Sequence, residues 1–349
     1  MIASYAIHDL QFKKPAKTSR NTLETKRLYL LQVQNKDGQI GYGEISPFEG
    51  LSMDDRPNFD SKLNETIALI NDGADLESLD LETWPSIAFG YDTAIRDLAN
   101  GGKRMFFDGP FAEGKSSIEI NGLVWMASKE EMLKQVEEKI TQGFRCIKMK
   151  IGALDFDEEC RMLEAIRKTY SAFQIELRVD ANGAFPVSDA FSMLKDLNRF
   201  DLHSIEQPIR QGQWEEMAEL CAKSPLDIAL DEELLGINAS MDGARMLKTI
   251  SPKYLIIKPG LLGAFKVSTE WIKQAHAQNT AWWITSALES NLGLAAIAQF
   301  TSNYRNPLPQ GLGTGQLYTN NFPSPLRIQQ GRLDQNGSDA WNFNLYLPE

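Results

Sequence analysis

Histidine is nearly missing from this sequence: His8, His203 and His276 are the only three in 349 residues. Chemistry that leans on imidazole, as a general base or as a zinc ligand, has little to draw on. Cysteine is equally scarce. Cys146, Cys160 and Cys221 show no CxxC spacing, which argues against a disulfide framework or a zinc site and suits a reducing cytoplasm. No uninterrupted apolar run reaches the roughly 18 residues of a membrane span, and Met1 to Lys14 lacks a basic start followed by an apolar stretch. Thirty-six basic residues against 47 acidic ones leave a net charge of -11, the wrong sign for a nucleic-acid surface. A small anionic substrate stays compatible, because the potential inside a pocket follows the groups that line it.

What is present is an ordinary globular composition, 42% hydrophobic, with length enough for about two domains. Residues 1–115 read as an α+β domain. Leu28 to Val33 and Ile40 to Glu44 form strands around the hairpin turn Asn35-Lys36-Asp37-Gly38, and Pro57 to Asn71 and Pro85 to Asn100 carry helical periodicity. The loop Ser46 to Ser52 holds Phe48 and Leu51 among turn formers, the make-up of a mobile lid over a pocket or of a surface connection with a buried anchor.

From Ser116 the pattern changes to alternating strands and helices. Lys148 and Lys150, in the strand Ile147 to Ile151, point to one face. From Lys150 the chain steps 30 residues to Asp180, 26 to Glu206, 25 to Asp231 and 27 to Lys258, each about one strand plus a returning helix. In a (β/α)8 barrel the C-terminal strand ends share one mouth, so groups at this period converge there. The expected strands are Ile118 to Trp125, the lysine strand, Ile175 to Asp180, His203 to Glu206, Ile228 to Asp231, Tyr254 to Lys258 and Ala281 to Thr285, with a weak eighth at Leu308 to Gly311. Expected helices include Ala239 to Thr249. The barrel is placed at 116–314, and residues 315–349, with Gly331-Arg332-Leu333 and Trp341 to Leu347, as a return to the first domain.

Three carboxylates brought together on adjacent strand ends repel, and a divalent cation is the usual remedy. Asp180, Glu206 and Asp231 offer oxygen alone, which points to Mg2+ before Mn2+. Taken singly, each acid is as well explained as a solvated loop carboxylate, and each lysine as a surface charge. Together they suit removal of a proton from the carbon beside a carboxylate: Lys150 as base, Lys148 as the adjacent charge, Lys258 from the opposite face of the enediolate. Arg178, Asp180 and Asn182 alternate on one strand face. Asn182, Gln207 and Glu232 are candidates to orient the charged groups. Ser286 to Asn291 opens a helix whose N-H groups suit either a substrate carboxylate or ordinary capping. His203 reads as a packed wall residue.

Taken in order, Lys148-x-Lys150, Asp180-Ala181-Asn182, Glu206-Gln207-Pro208, Asp231-Glu232 and Lys258-Pro259-Gly260 resemble the enolase superfamily, muconate-lactonizing-enzyme subgroup. The resemblance covers nearly the whole chain and implies a modified TIM barrel, (β/α)7β, under an α+β capping domain built from both termini. Within the subgroup, Gly41 to Ser52 and Ser286-Ala287-Leu288-Glu289-Ser290 are similar to the capping loop and seventh-strand motif of the o-succinylbenzoate synthases of menaquinone biosynthesis; Phe185 stands where Trp is more frequent. That resemblance implies syn dehydration of a succinyl-bearing hydroxycyclohexadiene carboxylate. Lys150 would take and return the proton, Lys258 would stabilise the enediolate across the ring face, Arg178 would support the site, and Ser286, Leu288, Phe48 and Leu51 would meet the substrate.

Three other readings use the same residues. A dipeptide epimerase or N-acylamino-acid racemase would use both lysines as bases, but such enzymes tend to carry Asp-x-Asp after the seventh strand, which Ser286 to Ser290 lacks. A Schiff-base aldolase would make Lys258 a nucleophile. A binding protein would keep the barrel without its chemistry. Oligomeric state is not legible in the sequence.

Overall fold

The computed structural model describes residues 1–17, 22–75 and 77–343. It begins with an antiparallel sheet, β1 (Ile2–Lys17), β2 (Thr22–Gln34) and β3 (Ile40–Ile45), in that order. β1 has no counterpart in the sequence reading: it is 16 residues long with Lys13, Lys14 and Pro15 near its end, a composition that hides a strand. Helices α1 (Phe59–Asn71) and α2 (Pro85–Ala99) cover the sheet. α2 lies so close to β3 that a Cβ on Gly43 would fall 1.9 Å from the carbonyl of Gly90, so only glycine allows that packing. Tyr29, Leu31, Val33, Ile45, Leu63, Trp84, Ile87 and Tyr91 are buried between the layers.

The second body is a parallel sheet of β5 (Gly122–Val124), β6 (Cys146–Lys150), β7 (Glu176–Asp180), β8 (Ser204–Glu206), β9 (Ile228–Leu230), β10 (Tyr254–Ile257) and β11 (Ala281–Ile284), paired in sequence order. β4 (Ser117–Glu119) is separate from it and pairs antiparallel with β13 (Arg332–Asp334). The stretch expected as one strand at Ile118 to Trp125 is therefore two, broken at Ile120-Asn121, where the backbone turns from the C-terminal hairpin to the barrel wall. The eighth strand is reduced to a seam. Gln310 bridges Ile120 and Gly311 bridges Thr285, both in parallel, which closes the ring between β11 and β5. The fold is the modified (β/α)7β barrel with a capping sheet. Its strands are buried on both faces, as parallel strands under helices must be.

The returning helices are α3 (Lys129–Thr141), α4 (Phe156–Thr169), α5 (Val187–Leu197), α6 (Trp214–Lys223), α7 (Ala244–Ile250), the single turn α8 (Pro259–Leu262), α9 (Phe265–Ala277) and α10 (Asn291–Ser302). Ser128 and Glu131 form a capping box at α3. The helix expected from Ala239 starts instead as a π turn, Ala239–Gly243, before α7. The N-H of Thr319 donates to Gln11 of β1, and β12 (Arg327–Gln329) and β13 (Arg332–Asp334) form a hairpin against β4. Of the stretch Trp341 to Leu347, expected to return to the first domain, Trp341 to Phe343 is irregular and the rest lies outside the described residues. Among the described residues no helix is long and apolar enough to cross a membrane.

Candidate active site

Register decides which charges meet. Lys148 pairs with Arg178, and Lys150 with Asp180, which pairs in turn with Glu206. Asp231 and Lys258 each follow the last residue of their strands, β9 and β10. Counting β5 as the first of eight positions round the ring, the lysine strand is second and β10 sixth. Lys150 and Lys258 thus stand on opposite walls, with the three acids on the positions between them.

The ammonium of Lys150 donates to Asp180 Oδ2 at 2.6 Å and to Asn182 Oδ1 at 2.8 Å. Lys148 bridges Asp180, at 2.8 Å, and Glu206; Lys258 pairs with Asp231. All three acids are 3% exposed or less. Burial alone would raise the Asp180 carboxyl, but the ammonium groups of Lys148 and Lys150 outweigh it and hold it well below the usual carboxylate range. Glu206 goes the other way, pushed well up by burial and then by the charge of Asp180. Lys148 is raised above the usual lysine value because Asp180 and Glu206 overcome the cost of its burial.

The groups around this core have definite work. Asn182, at φ 46°, turns its amide so that Nδ2 donates to Glu232 Oε1 at 3.0 Å while Oδ1 receives Lys150. Glu232 therefore orients a lysine through Asn182. Gln207, at φ 38°, accepts from the backbone N-H groups of Asp231 and Glu233 and donates to Glu233, clamping the end of β9. Arg178 does not join the acids. Two residues before Asp180 on the same face, it sits one layer lower, about 7 Å down the barrel. There it donates to Glu176 at 2.7 Å and the carbonyl of Pro309 at 2.9 Å, with its guanidinium over Trp283. His203 stacks on Tyr254 in the wall, as the sequence reading has it.

Among the described residues no three Asp, Glu, His or Cys side chains stand in a ready coordination shell, because the lysine ammonium groups lie between the carboxylates. The donor set nevertheless fits a hard divalent ion. It is all oxygen, it comes from three consecutive strands, and Glu206 Oε1 is buried without a hydrogen-bond partner.

Above the acids a cavity opens, lined by the three lysines, Asn182 and Glu232 below and by Phe48, Leu51, Ser286 and Leu288 above. The loop Ser46 to Ser52 thus faces the site, closed on itself by Leu51 and Ser52 N-H groups donating to the Phe48 carbonyl. Leu288, at φ 66°, has its carbonyl fixed by the Tyr318 hydroxyl at 2.7 Å.

The helix N-terminus offered by Ser286 to Asn291 is already filled. Glu44 of β3, fully buried, accepts from the N-H groups of Ser290 at 2.9 Å and Gly293 at 2.9 Å and from the Ser290 hydroxyl. The helix dipole and free N-H groups of α10 therefore hold the cap, not a substrate carboxylate. Beside it Glu289 accepts from the Ala287 N-H, and burial first, then the Glu44 charge, pushes it up to about 7. Lys26 of β2 completes this buried set. Its ammonium donates to the Ser46 hydroxyl and carbonyl at the base of the lid loop, while burial lowers its affinity for a proton. Sequence reasoning missed Lys26 and Glu44 as site-forming residues; the available signal was a charged residue closing an otherwise apolar strand at Ile40 to Ile45.

Carboxylates on three neighbouring strand ends, flanked by lysines from opposite walls of a capped (β/α)7β barrel, define a class of enzyme that works on carbon acids with a divalent metal. A family model described as "Enolase C-terminal domain-like" matches residues 131–337. The o-succinylbenzoate synthase of Desulfotalea psychrophila is 46% identical over 95% of this chain and 98% of that protein. The chain belongs to the enolase superfamily and, within it, stands with the o-succinylbenzoate synthases. The crystal structure of MenC from Desulfotalea psychrophila superposes with a TM-score of 0.82 at 43% identity, over 96% of this chain and 99% of that one. The L-Ala-D/L-Glu epimerase of Bacillus subtilis, 20% identical with a TM-score of 0.80 over 97% of each chain, shares the fold.

Proposed function

We propose that this chain is a lyase that makes o-succinylbenzoate by syn dehydration, with Mg2+ before Mn2+ held by Asp180, Glu206 and Asp231, in the cytoplasm and in menaquinone biosynthesis. The bound ion would supply fixed positive charge for the substrate carboxylate. The remaining work falls to the chain's own side chains. Lys150, unprotonated, takes the proton from the ring carbon next to the carboxylate, leaving an enediolate. The same nitrogen, now an ammonium, gives that proton to the hydroxyl leaving from the same ring face; water departs and the ring becomes aromatic. Lys258 stabilises the enediolate from the opposite wall as a cation. Asn182 and Glu232 keep Lys150 aimed, and Phe48 and Leu51 exclude water above the ring.

The observation that carries this reading over the epimerase is the seventh loop. The acid it contains, Glu289, is turned into the interior beside Glu44 and Lys26 and does not line the cavity, so no carboxylate of that loop is offered to an α-ammonium group. Incubation with the hydroxycyclohexadiene substrate and Mg2+ should produce the aromatic ultraviolet absorbance of o-succinylbenzoate. No signal there, together with rapid α-proton exchange of an Ala-Glu dipeptide, would overturn the assignment.

A further inference from the structure

The cavity is lined by four lysines, and three of them, Lys148, Lys150 and Lys258, are held by Asp180, Glu206 and Asp231. The fourth, Lys139 of α3, has no hydrogen-bond acceptor or ion pair among the described residues; its ammonium lies 5.2 Å from the centre of the Phe144 ring. Burial lowers its proton affinity, opposed only weakly by Glu138 on its own helix. It reaches the cavity where the barrel wall is thinnest. The eighth position is only Gln310 and Gly311, and Gly122, Gly311 and Gly313 line the cavity there without side chains to fill it. The Lys139 stem passes over Gly122 so closely that a Cβ on that glycine would fall 3.0 Å from Lys139 Cγ. Asn121 also lines this end. It is 4% exposed.

We propose that Lys139 forms a second carboxylate subsite, which takes the free carboxylate at the end of the substrate's succinyl arm while the ring carboxylate lies among the catalytic lysines. This rests on the dehydratase reading, since that substrate carries two carboxylates. Binding pairs the lining ammonium that, among the described residues, has no counter-ion with the one substrate charge that the acid-lysine cluster leaves uncompensated. Lys139 is a specificity-determining residue here: it touches the remote end of the substrate and takes no part in proton transfer.

The test compares wild type with Lys139→Met, which keeps the stem but not the charge, on the natural dianionic substrate and on an analogue whose succinyl carboxylate is a primary amide. Loss of one charge-assisted hydrogen bond should raise KM for the dianion about 10- to 100-fold with kcat changed less than about threefold. The amide should show no difference between the two proteins, and product affinity by calorimetry should fall by the same factor as KM rises. Gly122→Ala, which displaces the lysine stem without removing its charge, should move KM in the same direction and keeps the question open to refutation if Lys139→Met fails to fold. Unchanged KM for the dianion in a folded variant overturns the subsite. Absence of dehydration in wild type overturns the dehydratase reading instead, so the two failures are distinct.

Discussion

Replacing Glu44 by glutamine should destabilise the protein more at pH 6 than at pH 8. The carboxylate is fully buried and receives the Ser290 and Gly293 N-H groups and the Ser290 hydroxyl at the start of α10. An amide keeps one acceptor oxygen, so at least one buried donor loses its partner at a cost of about 1–3 kcal/mol, and the helix terminus loses its counter-charge, worth about 0.3–1 kcal/mol more. Against this stands Glu289, which burial and then Glu44 raise to about 7 from the ordinary glutamate value of 4.5. A carboxyl raised on folding binds more protons in the native state, so it withdraws stability as pH climbs from about 4.5 to 7, by up to roughly 3 kcal/mol at 1.36 kcal/mol per unit. Glu44→Gln removes the second-largest cause of that rise. Below pH 7 Glu289 is mostly protonated, little repulsion is relieved, and the full loss of about 1–4 kcal/mol appears; at pH 8 relief of the repulsion offsets part of it. Urea unfolding of both proteins at pH 6 and 8 reads the difference. Equal losses at the two pH values, or a larger loss at pH 8, would refute the coupling of Glu44 to Glu289.

Three further outcomes are expected. Lys150→Ala should lower kcat by about 10²- to 10⁴-fold in the aromatic absorbance assay while the thermal midpoint stays within a few degrees, because Lys148 still neutralises Asp180; undiminished turnover would mean the base is elsewhere. Chelation should abolish dehydration and Mg2+ restore it, with Mg2+ at 100 times its Kd adding about 2.7 kcal/mol of stability; activity that survives exhaustive chelation would dismiss the metal. Arg178→Met should cost about 1–3 kcal/mol of stability through the lost Glu176 and Pro309 contacts, yet change kcat less than about tenfold. A thousandfold loss of kcat in a stable Arg178→Met protein would return that arginine to the reacting anion.

The barrel and the identity of its charged groups were legible because both follow from one-dimensional rules. A strand alternates and a strand-helix unit repeats, so Lys148 and Lys150 share a face and Asp180, Glu206, Asp231 and Lys258 recur at one mouth. Shape along the axis was not legible. Arg178 shares a face with Asp180, but only the register shows that it lies a layer below, among Glu176, Pro309 and Trp283. The same limit hid β1, whose lysines and proline obscure its pairing with β2, and merged β4 with β5 where a turn of two residues redirects the chain.

The amino-acid order by itself determined the class of fold, the acid triad and the opposed lysines, since each is a matter of residue type at a period. Only the tertiary structure decided what fills the N-terminus of α10, where Glu289 points, and which cavity lysine is left without an acid. Those depend on contacts between segments far apart in the chain: Glu44 and Ser290 are 246 residues apart, and no periodicity encodes their meeting. Long-range packing of the cap on the barrel sets it, by burying a carboxylate where free N-H groups can satisfy it.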